Sequence, residues 1–207
     1  MPGNLELAIM ATIFLDLDGT LFDFQLPLLE FWGAKINHEC EYPDGFYWDI
    51  YGAINFIRQT RYGVAPIRYT SQFWDLLPEQ WWRDLKPHPG ALDFVYWLES
   101  KPVKIGIATA CVTPVSAAAK YDLIRKWLPE YEQQLFIGNS KYLLAGPDRI
   151  LVDDSDKNCE EFVAAGGNAI LVPRPWNKGY DRNASQSVYE FVKDNIDKLC
   201  NRILDRN

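Results

Sequence analysis

The sequence has no paired cysteine spacing, no excess of basic charge, no long apolar run and only two histidines. Each absence narrows what the chain does. Its four cysteines, Cys40, Cys111, Cys159 and Cys200, are too scattered for a zinc site or a disulfide framework, so reduced thiols in a cytoplasmic protein are expected. With 21 basic against 28 acidic residues, the net charge of -7 disfavours a surface for polymeric nucleic acid or an anionic membrane, though not a local site for a small anion. Near the N-terminus AIMATIFL is apolar, but no basic segment precedes it and it runs directly into Asp16, which argues against a signal peptide and a membrane span. Residues before Met10 read as an extension. No internal repeat or low-complexity tract occurs, and His38 and His88 have no partner visible in the sequence.

What is present is a chain of 207 residues with 48% apolar and 14% aromatic side chains, enough for one sizeable domain or a domain carrying a smaller one. From residue 88 onward helical and strand patterns alternate, which predicts an α/β fold with a mostly parallel sheet flanked by helices. Strands are predicted at TIFL, at KIGIAT (104–109), QLFIG (134–138), RILVDD (149–154) and NAILVP. Helices are predicted over 89–100, over KYDLIRKWL (120–128), over CEEFVAAGG with a glycine stop, and at the C-terminus, where Ser187 and Glu190 suit a capping box. Residues 25–87 differ: they show helical pieces rich in aromatics and no convincing strand. The expected division is therefore an α/β core over 10–24 and 88–207, with a small helical insertion over 25–87 above the strand ends, where open α/β sheets bind ligands.

The chemistry is concentrated at those ends. TIFLDLDGTLFDF sets Asp16 and Asp18 one residue apart at the end of an apolar strand, where burial and mutual repulsion both cost free energy. Thr109 ends the second core strand, Lys141 lies before the next acidic one, and that strand ends in Asp153 and Asp154. Carboxylates, an ammonium and a hydroxyl at one sheet edge suit a hard divalent cation and a phosphate. In that setting Asp16 is the candidate nucleophile and Asp18 the acid and base. Lys141 and Thr109 would hold phosphate oxygens. The bland alternatives are a helix cap for Asp153 and Asp154, another for Thr109, and an ordinary surface position for Lys141. A lone D-x-D is weak. The order and placement of all four features weigh against coincidence.

DLDGT resembles the first motif of the haloacid dehalogenase (HAD) superfamily of phosphohydrolases, IGIAT its second, Lys141 its third and ILVDD its fourth. The resemblance spans nearly the whole chain and implies a Rossmann-like core, an aspartyl-phosphate intermediate and Mg²⁺. It implies metal binding through Asp16, the main-chain carbonyl of Asp18, and one of Asp153 and Asp154, with Asp153 favoured. A narrower resemblance, carried by DGTLFDF, WWRDLKPHPGALDFV, KYDLIRKWLP and DRILVDD, is to the 5'(3')-deoxyribonucleotidase family. It implies a nucleoside monophosphate as substrate and a base enclosed by Phe24 and by Trp81 or Trp82, with Phe73 and Trp74 as further wall residues, and it permits a homodimer. For any one of these rings, packing within the insertion is the competing role. The chain departs from that family at Ala110, where a second hydroxyl is usual and a main-chain N–H would have to serve. It also has Thr20 in place of valine and a longer interval from Lys141 to Asp153. The competing functions are a phosphatase or phosphomutase for another small phosphate ester and a catalytically silent nucleotide-binding module. A dehalogenase has no use for Asp18.

Overall fold

The computed structural model describes residues 11–68 and 73–205, so the extension expected before Met10 lies outside them. In chain order the elements are β1 (Thr12–Leu15), β2 (Phe22–Asp23), α1 (Gln25–Phe31), α2 (Ile50–Tyr62), α3 (Glu79–Arg83), β3 (Lys86–Pro87), α4 (Ala91–Glu99) and β4 (Lys104–Thr109). There follow α5 (Pro114–Trp127), β5 (Leu135–Ile137), β6 (Arg149–Asp153), α6 (Asp156–Ala164), β7 (Asn168–Leu171) and α7 (Val188–Leu204). Five strands form one sheet in the order β5-β4-β1-β6-β7, and every pair is parallel. All five therefore deliver their carboxyl ends to one edge.

Strand side chains alternate between the two faces, and the core divides accordingly. Ile13, Leu15, Ile107, Ile150 and Val152 join the large cluster, whereas Phe14, Ala108 and Leu151 meet Phe162 of α6 in a smaller one. Burial on both faces is why these strands read as continuous apolar runs. The large cluster continues through Leu28, Leu29, Ile54 and Trp82, so residues 25–87 share one core with the sheet.

Helix starts follow local chemistry. Thr113 and Ser116 close a capping box with Pro114 at the first turn, so α5 begins well before residue 120. Its SAAA opening has helix propensity but little apolar periodicity, which is why the sequence pattern missed it. Helix α4 starts after Gly90, whose φ of 82° is left-handed, and not at Pro89. Ser187 caps α7 by accepting from the Glu190 N–H, but the Glu190 carboxylate pairs with Lys193, so the expected reciprocal bond is not made.

The two ends of the 25–87 segment lie side by side. Strands β2 and β3 pair antiparallel, Phe22 with Pro87 and Asp23 with Lys86, and the His88 N–H donates to the Leu21 carbonyl at 2.8 Å. Two-residue strands carry too little pattern to be read from sequence. Arg174, buried in the loop after β7, ties this region together. Its Nε donates to the Gly19 carbonyl at 2.7 Å, Nη2 to the Thr20 carbonyl at 3.3 Å, and Nη1 to Glu39 Oε2 at 3.1 Å. The loop after β1 and the inserted segment thus share one guanidinium.

Removing one partner of a buried ion pair strands the other. Arg174→Ala is expected to cost about 3 kcal/mol, the lower end of the range for buried pairs, because the Glu39 side chain keeps 19% of its exposure. Urea unfolding measures this, and a loss below about 1 kcal/mol would mean that water replaces the guanidinium.

Candidate active site

The carboxyl edge of the sheet gathers the acidic groups. Beyond β1 the chain turns sharply: the N–H groups of Leu21 and Phe22 both donate to the Leu17 carbonyl, at 2.9 and 2.7 Å. The turn needs Gly19 for two reasons. Its φ is 73°, and a Cβ there would lie 1.9 Å from Asp154 Oδ2. The Asp154 carboxylate therefore rests directly on the backbone that follows Asp18.

Two buried lysines divide three of the four carboxylates between them. Lys141, on a short 3-10 turn (Lys141–Leu144), places Nζ 2.7 Å from Asp16 Oδ1 and 2.6 Å from Asp153 Oδ2. Lys120, on α5, places Nζ 2.6 Å from Asp18 Oδ2 and 3.1 Å from Thr109 Oγ1, and also donates to the Ala110 carbonyl. Asp153 is fully engaged: Oδ1 accepts from the Ser155 N–H at 2.8 Å, and Asn158 Nδ2 donates to Oδ2 at 3.0 Å beside Lys141. Asp154 is half engaged, with Oδ2 accepting from the Trp176 indole at 2.6 Å and Oδ1 buried without a partner. Asp18 Oδ1 is likewise buried without one.

Burial pushes the Asp18 carboxyl above the ordinary range, against the opposing pull of Lys120. Burial also raises Asp153 against Lys141, and raises Asp154 much further, with the Asp153 charge adding to the effect. Burial alone would lower Lys141, but Asp153 and Asp16 outweigh it and hold the ammonium above its usual value. Four carboxylates against two ammonium groups leave an excess of two negative charges when all are ionised, the amount a divalent cation cancels. Ligand atoms of Asp16, Asp153 and Asp154 all lie within 4.8 Å of one another. With two orphaned carboxylate oxygens nearby, the residues fit an oxygen-ligated cation.

A cavity of about 290 Å³ opens from this cluster. Asp16, Asp18, Lys120, Lys141, Asp153 and Asp154 line one part, and Phe24, Trp48, Ile50, Trp74, Trp82 and Val112 the other. Of the residues singled out in the sequence, Phe24, Trp74, Trp82 and Ala110 reach its wall. Thr109 is buried beneath it, hydrogen-bonded to Lys120. Phe73 stacks on Trp32 with centroids 4.7 Å apart, and Trp81 donates to the Pro27 carbonyl at 3.4 Å; neither is on the wall. Asp154, and not the favoured Asp153, holds the unpaired oxygen.

Sequence reasoning missed Lys120, Trp48, Ile50, Asn158 and Trp176. Lys120 had a signal, since it shares the buried stripe of α5 with Ser116, Ala119, Leu123 and Ile124, where an unpaired lysine is costly. Trp48 had none. Its φ of 41° is unusual for a side-chain-bearing residue, and its indole reaches across to donate to the Asp154 carbonyl at 3.1 Å. A larger cavity, about 620 Å³, lies by the β2–β3 pair. Asp23, Glu39 and His88 bring ligand atoms close together there, but Glu39 is paired with Arg174, and burial followed by the Arg174 charge holds His88 down to about 2 and uncharged. It lacks the convergent strand-end carboxylates and is not the candidate site.

No family model matches the sequence, and no curated protein matches it. Solved structures do. A HAD family hydrolase from Deinococcus radiodurans with bound phosphate and sodium aligns with a TM-score of 0.54 and 14% identity, over 93% of this chain and 97% of that one. A haloacid dehalogenase-like family hydrolase from Xanthomonas campestris aligns with a TM-score of 0.55 and 9% identity, over 96% and 95%. A Bacillus subtilis protein of the same named group, bound to magnesium, aligns with a TM-score of 0.50 and 15% identity, over 79% and 86%. At these identities the likeness establishes the fold, an α/β fold with the Rossmann-like arrangement of those hydrolases.

Two outcomes follow from the site. Gly19→Ala must displace the Asp154 carboxylate and take up a left-handed backbone, so a loss of about 2 kcal/mol or more in urea unfolding is expected. Unchanged stability would mean that the turn and carboxylate move apart freely. With divalent cations chelated, Asp18, Asp153 and Asp154 hold protons more tightly folded than unfolded. Their stabilising contribution is complete below the ordinary carboxylate range and is lost as pH rises through their raised values. The melting temperature of chelated protein should therefore fall over that rise, and a divalent cation should flatten the profile; identical profiles with and without cation would exclude these carboxylates as its ligands.

Proposed function

We propose that the chain, which has the fold of the HAD hydrolases, is a Mg²⁺-dependent phosphomonoesterase that cleaves nucleoside monophosphates, deoxynucleotides foremost, to nucleoside and phosphate. One observation carries the reading: a single cavity joins the buried carboxylate and lysine cluster to an aromatic wall. The core is 10–24 with 88–207, and 25–87 is the cap that supplies Trp74 and Trp82, which pack on Phe24, and Trp48, which shares the cavity wall with it. Flat apolar ring faces suit a nucleobase, whose stacking tolerates base identity.

Asp16 attacks phosphorus through a carboxylate oxygen while the bond to the leaving oxygen breaks. Asp18 delivers the proton that oxygen needs, from Oδ1, because Lys120 holds Oδ2. The raised carboxyl of Asp18 favours that protonated start. Water then attacks phosphorus of the aspartyl phosphate and passes a proton back to Asp18, which frees phosphate and restores Asp16. Lys141 holds Asp16 and Asp153 in place and neutralises charge beside the phosphoryl oxygens. Asp16, Asp154 and the carbonyl of Asp18 would hold Mg²⁺, with Asp153 beside them; when bound, the ion offsets repulsion between carboxylates and phosphate.

A second reading has specific support. The cavity, near 290 Å³, sits at the lower end of the roughly 300–1,000 Å³ usual for ligand sites, and Phe24 and Trp82 are themselves almost wholly buried. Such a wall also suits a smaller phosphate ester. Phosphate release from matched panels of nucleoside monophosphates and sugar phosphates decides between them, and preference for sugar phosphates would overturn the nucleotide reading. Asp16→Asn should abolish turnover on any substrate, and activity surviving it would remove Asp16 as nucleophile. Asp18→Asn should lower kcat about 10²–10⁴-fold, the usual worth of a general acid or base.

A further inference from the structure

A carboxylate that binds a cation through one oxygen is better oriented when its other oxygen is fixed. Asp154 has that constraint from two sides. Its Oδ2 is pressed onto Gly19, where an added Cβ would lie 1.9 Å away, and accepts the Trp176 indole N–H at 2.6 Å. Its Oδ1 is buried and has no hydrogen-bond partner. The indole is itself fully buried and fixed. Its ring meets Tyr42 edge-on with centroids 5.8 Å apart, and the Trp176 carbonyl accepts the Trp48 N–H at 2.9 Å. The main chain of Asp154 is pinned as well, its carbonyl accepting from Asn177 Nδ2 at 2.8 Å and from the Trp48 indole at 3.1 Å. Asp153 has no such division, because Ser155, Asn158 and Lys141 occupy both of its oxygens.

We infer that Trp176 is a positioning residue that acts through Asp154: by fixing Oδ2 it turns Oδ1 toward the divalent cation and so sets the affinity of the site for that ion. The inference rests on the metal-dependent reading of the site given above and adds to it a residue from the loop after β7, outside every motif. An indole suits the task because its N–H is a donor only and cannot compete for the ion. Groups that orient a metal-binding side chain are typically worth 10- to 100-fold in affinity.

The experiment is Mg²⁺ binding by calorimetry, without substrate, on the wild-type chain, Trp176→Phe and Asp154→Asn. Phe keeps a buried ring and removes only the donor. The expected result is wild-type binding, loss with Asp154→Asn, and a 10- to 100-fold weaker Mg²⁺ affinity for Trp176→Phe. In turnover, the Mg²⁺ concentration for half-maximal rate should rise by the same factor while kcat at saturating Mg²⁺ holds within about twofold. A merely structural tryptophan would lower folded yield or kcat and leave the Mg²⁺ dependence alone, which overturns the inference and leaves the phosphatase reading standing. A wild-type chain that neither binds Mg²⁺ nor releases phosphate sinks both. Should Trp176→Phe fail to fold, the indole N–H resonance of Trp176 in the wild-type chain decides: a shift on Mg²⁺ titration supports the inference, and an unmoved resonance at saturation overturns it.

Discussion

Four carboxylates at one sheet edge, three of them buried and Asp18 half-buried, are the constraint around which the rest of the structure is arranged. Left alone, Asp16, Asp18, Asp153 and Asp154 would repel one another in a medium that screens them poorly. Each is met by a specific device: Lys141 between Asp16 and Asp153, Lys120 on Asp18, Trp176 on Asp154. The compensation stops short of neutrality, leaving two oxygens without partners. Two unpartnered carboxylate oxygens in one acidic cluster are what an oxygen-ligated cation would satisfy.

The parallel sheet makes that concentration possible. Because every strand runs the same way, residues far apart in sequence reach the same edge without any loop having to fold back. Trp48, Ile50, Trp74 and Trp82 of the 25–87 segment, with Phe24 and Val112, then supply what the sheet edge lacks, an apolar wall. The chain enters and leaves the 25–87 segment at the β2–β3 pair, and Arg174 spans from Glu39 to the carbonyls of Gly19 and Thr20. The position of the wall and the shape of the acidic turn are consequently not independent.

Much of this was legible from residue types. Continuous apolar runs ending in Asp or Thr marked β1, β4 and β6 because strands buried on both faces have no polar side to show. DLDGT carried its own explanation in Gly19, whose backbone conformation and closeness to Asp154 admit no side chain. What stayed hidden depended on contacts across large separations. Lys120 reaches Asp18 across a separation of 102 residues, and Trp48 reaches Asp154 across 106. The rings raised the opposite difficulty. Phe24, Phe73, Trp74, Trp81 and Trp82 form one interlocked group, and which of them borders open space is a matter of shape that composition does not record.

Four wall residues, Trp48, Ile50, Trp74 and Trp82, come from the 25–87 segment and carry none of the cluster's charges, whereas Phe24 and Val112 belong to the stretches that carry the acids and Lys120. Exchanges at Trp74, Trp82 or Ile50 reshape what the cavity accommodates without touching a single charge in the cluster. On the proposed function, such exchanges would change selectivity and leave the reacting groups in place. Trp48 is the exception, for it borders the cavity and also holds the Asp154 carbonyl. Replacing Trp48 would reshape the cavity and at the same time remove one of the two donors on the Asp154 carbonyl, so the apolar wall and the acidic cluster meet in that one side chain.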